Sequence, residues 1–82
     1  MANLWTGTVK SSDAYVTLAS VSELTFTEGN TYVIQIQNPA WVREGSTGLG
    51  FYVSGDDPFE YTAGADDLYI KTVNQCVVNI AG

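Results

Sequence analysis

The sequence contains no histidine, a single cysteine and only three cationic side chains, Lys10, Arg43 and Lys71. Each shortage removes a class of chemistry. Without histidine, one chain cannot assemble a Ser-His-Asp triad, a Cys-His pair or a His-ligated metal site. With Cys76 alone, neither an intramolecular disulfide nor a multi-cysteine zinc site can form. Three cations against nine carboxylates leave a net charge of −6, and no groove of such a chain can track a phosphate backbone. No apolar run approaches the roughly 20 residues of a membrane-spanning helix. The opening Met1-Ala2-Asn3-Leu4-Trp5 has neither the basic start nor the apolar run of a signal peptide. The expectation is a soluble protein made in a cytoplasm, with neither nucleic acid nor membrane among its partners. A lone thiol suits a reducing compartment.

What is present points to a folded domain. Hydrophobic residues make up 45% of the 82 positions and charged residues 15%, the reverse of the balance in disordered acidic chains. The length fits one domain spanning residues 1–82. A chain this short buries only about 60–65% of its unfolded surface, so it is marginal without a staple. With no disulfide to help, the remaining sources of stability are close packing and self-association, and a homo-oligomer is expected.

The residues that dominate are Thr, Val, Tyr, Phe and Ile, cut at short intervals by Gly, Asn, Asp and Ser. No helical stripe runs over a helix-length window. Strands are predicted over Leu4–Val9, Tyr15–Ala19, Glu23–Thr27, Thr31–Gln37, Trp41–Glu44, Leu49–Val53, Phe59–Thr62, Leu68–Thr72 and Cys76–Ile80. That pattern predicts an all-β fold, a small antiparallel sandwich or barrel of about eight short strands. Alternation assigns a core: Leu24 and Phe26; Tyr32, Ile34 and Ile36; Val16 and Leu18; Phe51 and Val53; Leu68 and Ile70; Val78 and Ile80. Pro39 and Pro58 fall in breaks, where a missing backbone donor costs no ladder bond. A weak internal repeat aligns Leu24–Asn38 with Phe59–Asn74, and predicts two hairpins turning at Gly29 and Gly64.

Few motifs carry chemistry. Asp56-Asp57 with Glu60, and Asp66-Asp67, offer carboxylates but no EF-hand spacing. They read as solvated turns rather than a metal site. A glycosidase-type carboxylate pair needs a deep cleft, which a sandwich of this size has no room for, so neither an enzyme nor a cofactor is expected. Gly45-Ser46-Thr47-Gly48-Leu49-Gly50 lacks the Lys and following helix of a phosphate loop and reads as a flexible connection. Cys76 alternates with Val78 and Ile80, which makes it a buried structural thiol.

The ten aromatic residues are the most informative set. Phe26, Phe51 and Tyr32 belong to the core by alternation. Tyr15, Tyr52 and Tyr69 point away from the apolar face of their strands, and Trp41 follows a proline break. Exposed Tyr and Trp offer large contact area at low entropic cost. Tyr15, Trp41, Tyr52, Tyr61 and Tyr69 are therefore candidate interface residues, with Arg43 as an ion-pair anchor.

Several segments carry a resemblance: Glu23–Asn38 with its Gly-x-Thr-Tyr run, Gly50–Val53, Phe59–Gly64 with its aromatic-Thr-x-Gly turn, Asp67–Thr72, and the Val-rich Cys76–Ile80. In this order they are similar to small β-rich structural proteins of tailed bacteriophages. Pro39-Ala40-Trp41 departs from that pattern, which has a glycine-containing turn there. The resemblance implies a virion component: a capsid decoration protein or a head or tail accessory protein, which binds capsid or other virion proteins. Two other readings use the same surface. One is a carbohydrate-binding module or host-surface adhesin, in which Asp56, Asp57 and Asn74 would hydrogen-bond a surface glycan beside the aromatics. The other is an inhibitor that engages a basic host protein through its acidic surface.

Overall fold

The computed structural model describes residues 2–10 and 14–82. The predicted break at Ser11-Ser12-Asp13 lies outside them. In chain order the elements are β1 (Asn3–Val9), β2 (Val16–Thr17), the short helix α1 (Leu18–Ser22), β3 (Thr31–Ile36), β4 (Ala40–Glu44), β5 (Phe51–Val53), β6 (Phe59–Thr62), β7 (Leu68–Thr72) and β8 (Cys76–Ala81). They form two four-stranded antiparallel sheets, one ordered β1-β8-β3-β6 and the other β2-β7-β4-β5. The fold is thus all-β, with two open sheets rather than a closed barrel.

The period-two alternation does what it should in the central strands. Ile34 and Ile36 of β3 and Val78 and Ile80 of β8 meet Val42 of β4 and Leu68 and Ile70 of β7 in one buried cluster. Each such side chain, once removed from water, contributes about 1.5–3 kcal/mol. Thr72 is buried beside this cluster, as is Ser22, and the Thr72 hydroxyl donates to the Lys10 carbonyl at 3.0 Å. Cys76 is buried as expected, its thiol 3.0 Å from the Asn74 carbonyl oxygen.

Four expectations need correction. Tyr15–Ala19 yields only the two-residue β2, after which the chain turns into α1. That helix closes at Glu23, whose φ of +61° is left-handed, and the Ser22 hydroxyl donates to the Leu18 carbonyl. Glu23–Thr27 joins no sheet. Its alternation is nevertheless real: Leu24 and Phe26 pack on the core, the Phe26 ring stands edge-on to Tyr32 at 4.9 Å, and the Thr27 amide donates to the Tyr32 hydroxyl. The segment covers the core without pairing.

The third correction concerns the repeat. Neither half is a hairpin, because β6 and β7 belong to different sheets and nothing pairs with Glu23–Thr27. Instead the two glycine turns lie against each other. The Gly29 amide donates to the Ala63 carbonyl and the Ala63 amide to the Asn30 carbonyl. Gly29, at φ +90°, is the third residue of a turn closed by the Asn30 amide on the Thr27 carbonyl, the position that requires a left-handed residue in a type II turn. Among the described residues, the one hairpin within a single sheet joins β4 to β5.

The fourth concerns Phe51. It pairs with Val42 and so lies on the inward side of β5, yet it is 78% exposed. β5 is an edge strand, and Phe51 is left uncovered there.

Candidate functional site

Register places a distinct set of side chains on the outer side of the second sheet. Because Val42 and Ile70 point inward, Trp41 and Arg43 of β4 and Tyr69 and Lys71 of β7 point outward, and Trp41 faces both Tyr52 of β5 and Lys71. Trp41 and Tyr52 meet edge to face with ring centroids 5.4 Å apart. No carboxylate takes an outward position on β2, β7, β4 or β5, while Arg43 and Lys71 do. The face is therefore aromatic and cationic in a chain whose net charge is −6.

Half of the face is occupied with internal work. The Arg43 guanidinium lies 3.9 Å from the centre of the Tyr15 ring and 5.4 Å from that of Tyr69. Its two terminal nitrogens donate to the carbonyls of Gly48 (2.9 Å) and Ser46 (3.0 Å). The Tyr15 hydroxyl donates to the Leu49 carbonyl at 2.7 Å. Lys71 sits 5.1 Å from the same tyrosine ring. Arg43 and Tyr15 thus hold the Gly45–Gly50 loop by its backbone. That loop, expected to be a flexible connection, is a fixed turn with left-handed glycines at 45, 48 and 50. Arg43 is not the free ion-pair anchor that the sequence suggested. Its terminal donors are engaged, and its buried Nε has no partner.

Tyr61 also leaves the candidate set. It is only 6% exposed and stacks edge-on to Phe26 at 6.0 Å, inside the first sheet's core. The signal was available: Glu60 and Thr62 on either side take the outward positions of β6. Burial, and next the nearby Glu44 carboxylate, push the Tyr61 phenol above its ordinary value of 10.0. The folded chain keeps a proton that the unfolded chain releases, so this contribution to stability is complete below about pH 10 and is lost as pH rises beyond it. Tyr61→Phe is expected to flatten the alkaline fall in melting temperature above about pH 10. An equal slope in the variant would show that the phenol does not titrate this way.

Two exposed apolar residues lie outside the set that the sequence predicts. Leu49, at the loop tip, is 89% exposed, and Phe51 follows it; with Tyr52 at 56% they make a continuous apolar edge. The sequence pattern places Leu49 in a strand and Phe51 in the core. The flanking glycines, which leave Leu49 without a strand neighbour, were the only available sign.

Asp56, one of the polar groups expected to join the aromatics, does not stand with them. Asp56 donates its amide to the Ile36 carbonyl and lines, with Gln35, Gln37, Val77 and Asn79, a shallow depression of about 220 Å³ on the outer side of the first sheet. Among the described residues, no three carboxylate or thiol side chains converge as a metal site would require. No family model matches this chain, and no curated protein or solved structure matches it either.

Proposed function

We propose that the protein is a non-enzymatic structural component of a bacteriophage virion, a capsid decoration or head or tail accessory protein, that attaches to other virion proteins through the outer side of its second sheet. The observation that carries this reading is the Trp41–Tyr52 pair on a face with no outward carboxylate, in an otherwise acidic chain. Aromatic anchors of this kind dominate binding energy at protein interfaces. A carboxylate-free face also meets an acidic partner surface without repulsion. The virion part of this proposal rests on the resemblance of the short sequence segments described above to phage structural proteins. Carbohydrate binding is the weaker reading, because Asp56 stands on the opposite sheet from the aromatic platform.

Phage particles purified from a host that carries the gene are expected to contain the chain. Removing Trp41 as Trp41→Ala should weaken rebinding to stripped particles by roughly 30-fold or more, the loss typical of a hot-spot residue. Its melting temperature should change little, because Trp41 lies outside the buried core. Absence from purified particles would overturn the virion setting. An unchanged binding curve for folded Trp41→Ala would overturn the surface. Saturable binding on a glycan array would favour the adhesin instead.

A further inference from the structure

We infer that β5 is a self-association edge: two copies of the chain pair β5 with β5, antiparallel about a two-fold axis at Tyr52, and join their second sheets into one eight-stranded sheet. β5 has a strand neighbour on one side only, β4. The backbone amides and carbonyls on its other side are a template for a further strand. Side chains on both faces of this strand are exposed, Phe51 on the inward side and Tyr52 on the outward side, with Leu49 just before them. A groove-binding ligand would cover one face. An added strand sets cross-strand neighbours beside the exposed side chains of both faces.

The other edges are blunted. β2 has two residues, β6 carries Glu60, and β1 is broken by a register shift between Asn3 and Trp5 and is followed by Lys10. By contrast, Gly45–Gly55 holds no Asp, Glu, Lys or Arg. That neutrality points to a second copy as the occupant. Two chains of charge −6 repel each other, so they can approach closely only where each is uncharged, and β5 lies within such a stretch.

The register fits. Pairing about Tyr52 sets Tyr52 against Tyr52 and Phe51 against Val53 of the second copy. On the outer face this lines up Trp41, Tyr52, Tyr52 and Trp41 across the axis, extending the edge-to-face pair already present. On the inner face the uncovered Phe51 gains the half-buried Val53 of the second copy. Leu49, Phe51 and Tyr52 from both copies can together withdraw at most about 1,000 Å² from water, which places the contact among small, weak interfaces. The contact is isologous and closes at two. It does not depend on which virion protein the outer face binds.

Sedimentation equilibrium of the intact chain tests this. The wild type is expected to pass from monomer to dimer mass across roughly 1–100 μM, the range expected for a small interface. Phe51→Lys places a charge on the edge and should weaken dimerisation at least about tenfold. Its melting temperature at low concentration should match the wild type, because Phe51 is exposed in the single chain. Phe51→Leu should retain the dimer. Leu4→Lys, on the β1 edge, should also retain it. A wild type that stays monomeric at about 500 μM, one that forms trimers or open polymers, a dimer indifferent to Phe51→Lys, or one lost in Leu4→Lys would each overturn the inference. Loss of particle binding in Trp41→Ala with the dimer intact would concern the outer face alone.

Discussion

Gly50→Ala is expected to destabilise the protein by roughly 2–4 kcal/mol, a large share of the 5–15 kcal/mol available to a small domain. Gly50 has a φ of +79°, where an L side chain is strained. An added Cβ would also lie 2.7 Å from the Val42 carbonyl oxygen and 2.5 Å from the Tyr15 hydroxyl. The backbone oxygen belongs to the β4 ladder and cannot move aside. The hydroxyl can, but only by giving up its bond to the Leu49 carbonyl, which costs about 1 kcal/mol more. The melting temperature should fall by on the order of 10–25 °C. Gly48→Ala makes a useful comparison. It shares the left-handed backbone, with φ +103°, but has nothing within 4 Å of the new methyl, so it should pay for strain alone. Equal losses at both positions would mean that close approach at Gly50 adds nothing.

The second large effect is expected at Ile34. It is fully buried in β3, opposite Phe59 of β6 on one side and Ile80 of β8 on the other. Ile34→Ala should cost about 2–5 kcal/mol and Ile34→Val about 0.5–1.5 kcal/mol. In urea the midpoint should fall while the slope stays constant, because the surface exposed on unfolding hardly changes. A Val variant as unstable as the Ala variant would show that branching at Ile34, rather than volume, is what the site requires.

Strand positions were legible in the sequence because alternation records burial directly. Phe59–Thr62 and Leu68–Thr72 match their predicted bounds, and Ile34, Ile36, Ile70, Val78 and Ile80 lie in the core. Alternation does not record hydrogen bonding, which is why Leu24 and Phe26 are packed inward on a segment that joins no sheet. Nor does it reveal which sheet a strand enters. Thr62-Ala63-Gly64 reads as a local turn whether the next strand pairs with the last or crosses to the opposite layer. Phe51 failed for a related reason: an inward direction buries a side chain only where another layer lies above it.

The candidate face was legible in part. Tyr52 and Tyr69 do point outward, as their strand neighbours required, and Trp41, marked in the sequence only by its proline break, stands with them. Arg43 was misread because its partners are backbone carbonyls, which carry no residue-specific signature. Gly45–Gly50 showed its glycines but not the arginine and tyrosine that fix them.

The position of β8 bears on how the chain reaches this fold. β1 and β3 do not pair with each other; each pairs with β8, which lies between them. The first sheet therefore has no continuous ladder until residues 76–81 arrive, and most of the buried cluster waits with it. On the ribosome, the β4–β5 hairpin can form early, but the layer that should cover it stays in separate pieces while β8 is still inside the tunnel. Closure of the first sheet thus waits for β8 and should be slow for so small a fold, because the closing contacts join segments far apart in sequence. During that interval the exposed β4–β5 edge is the surface most open to premature pairing.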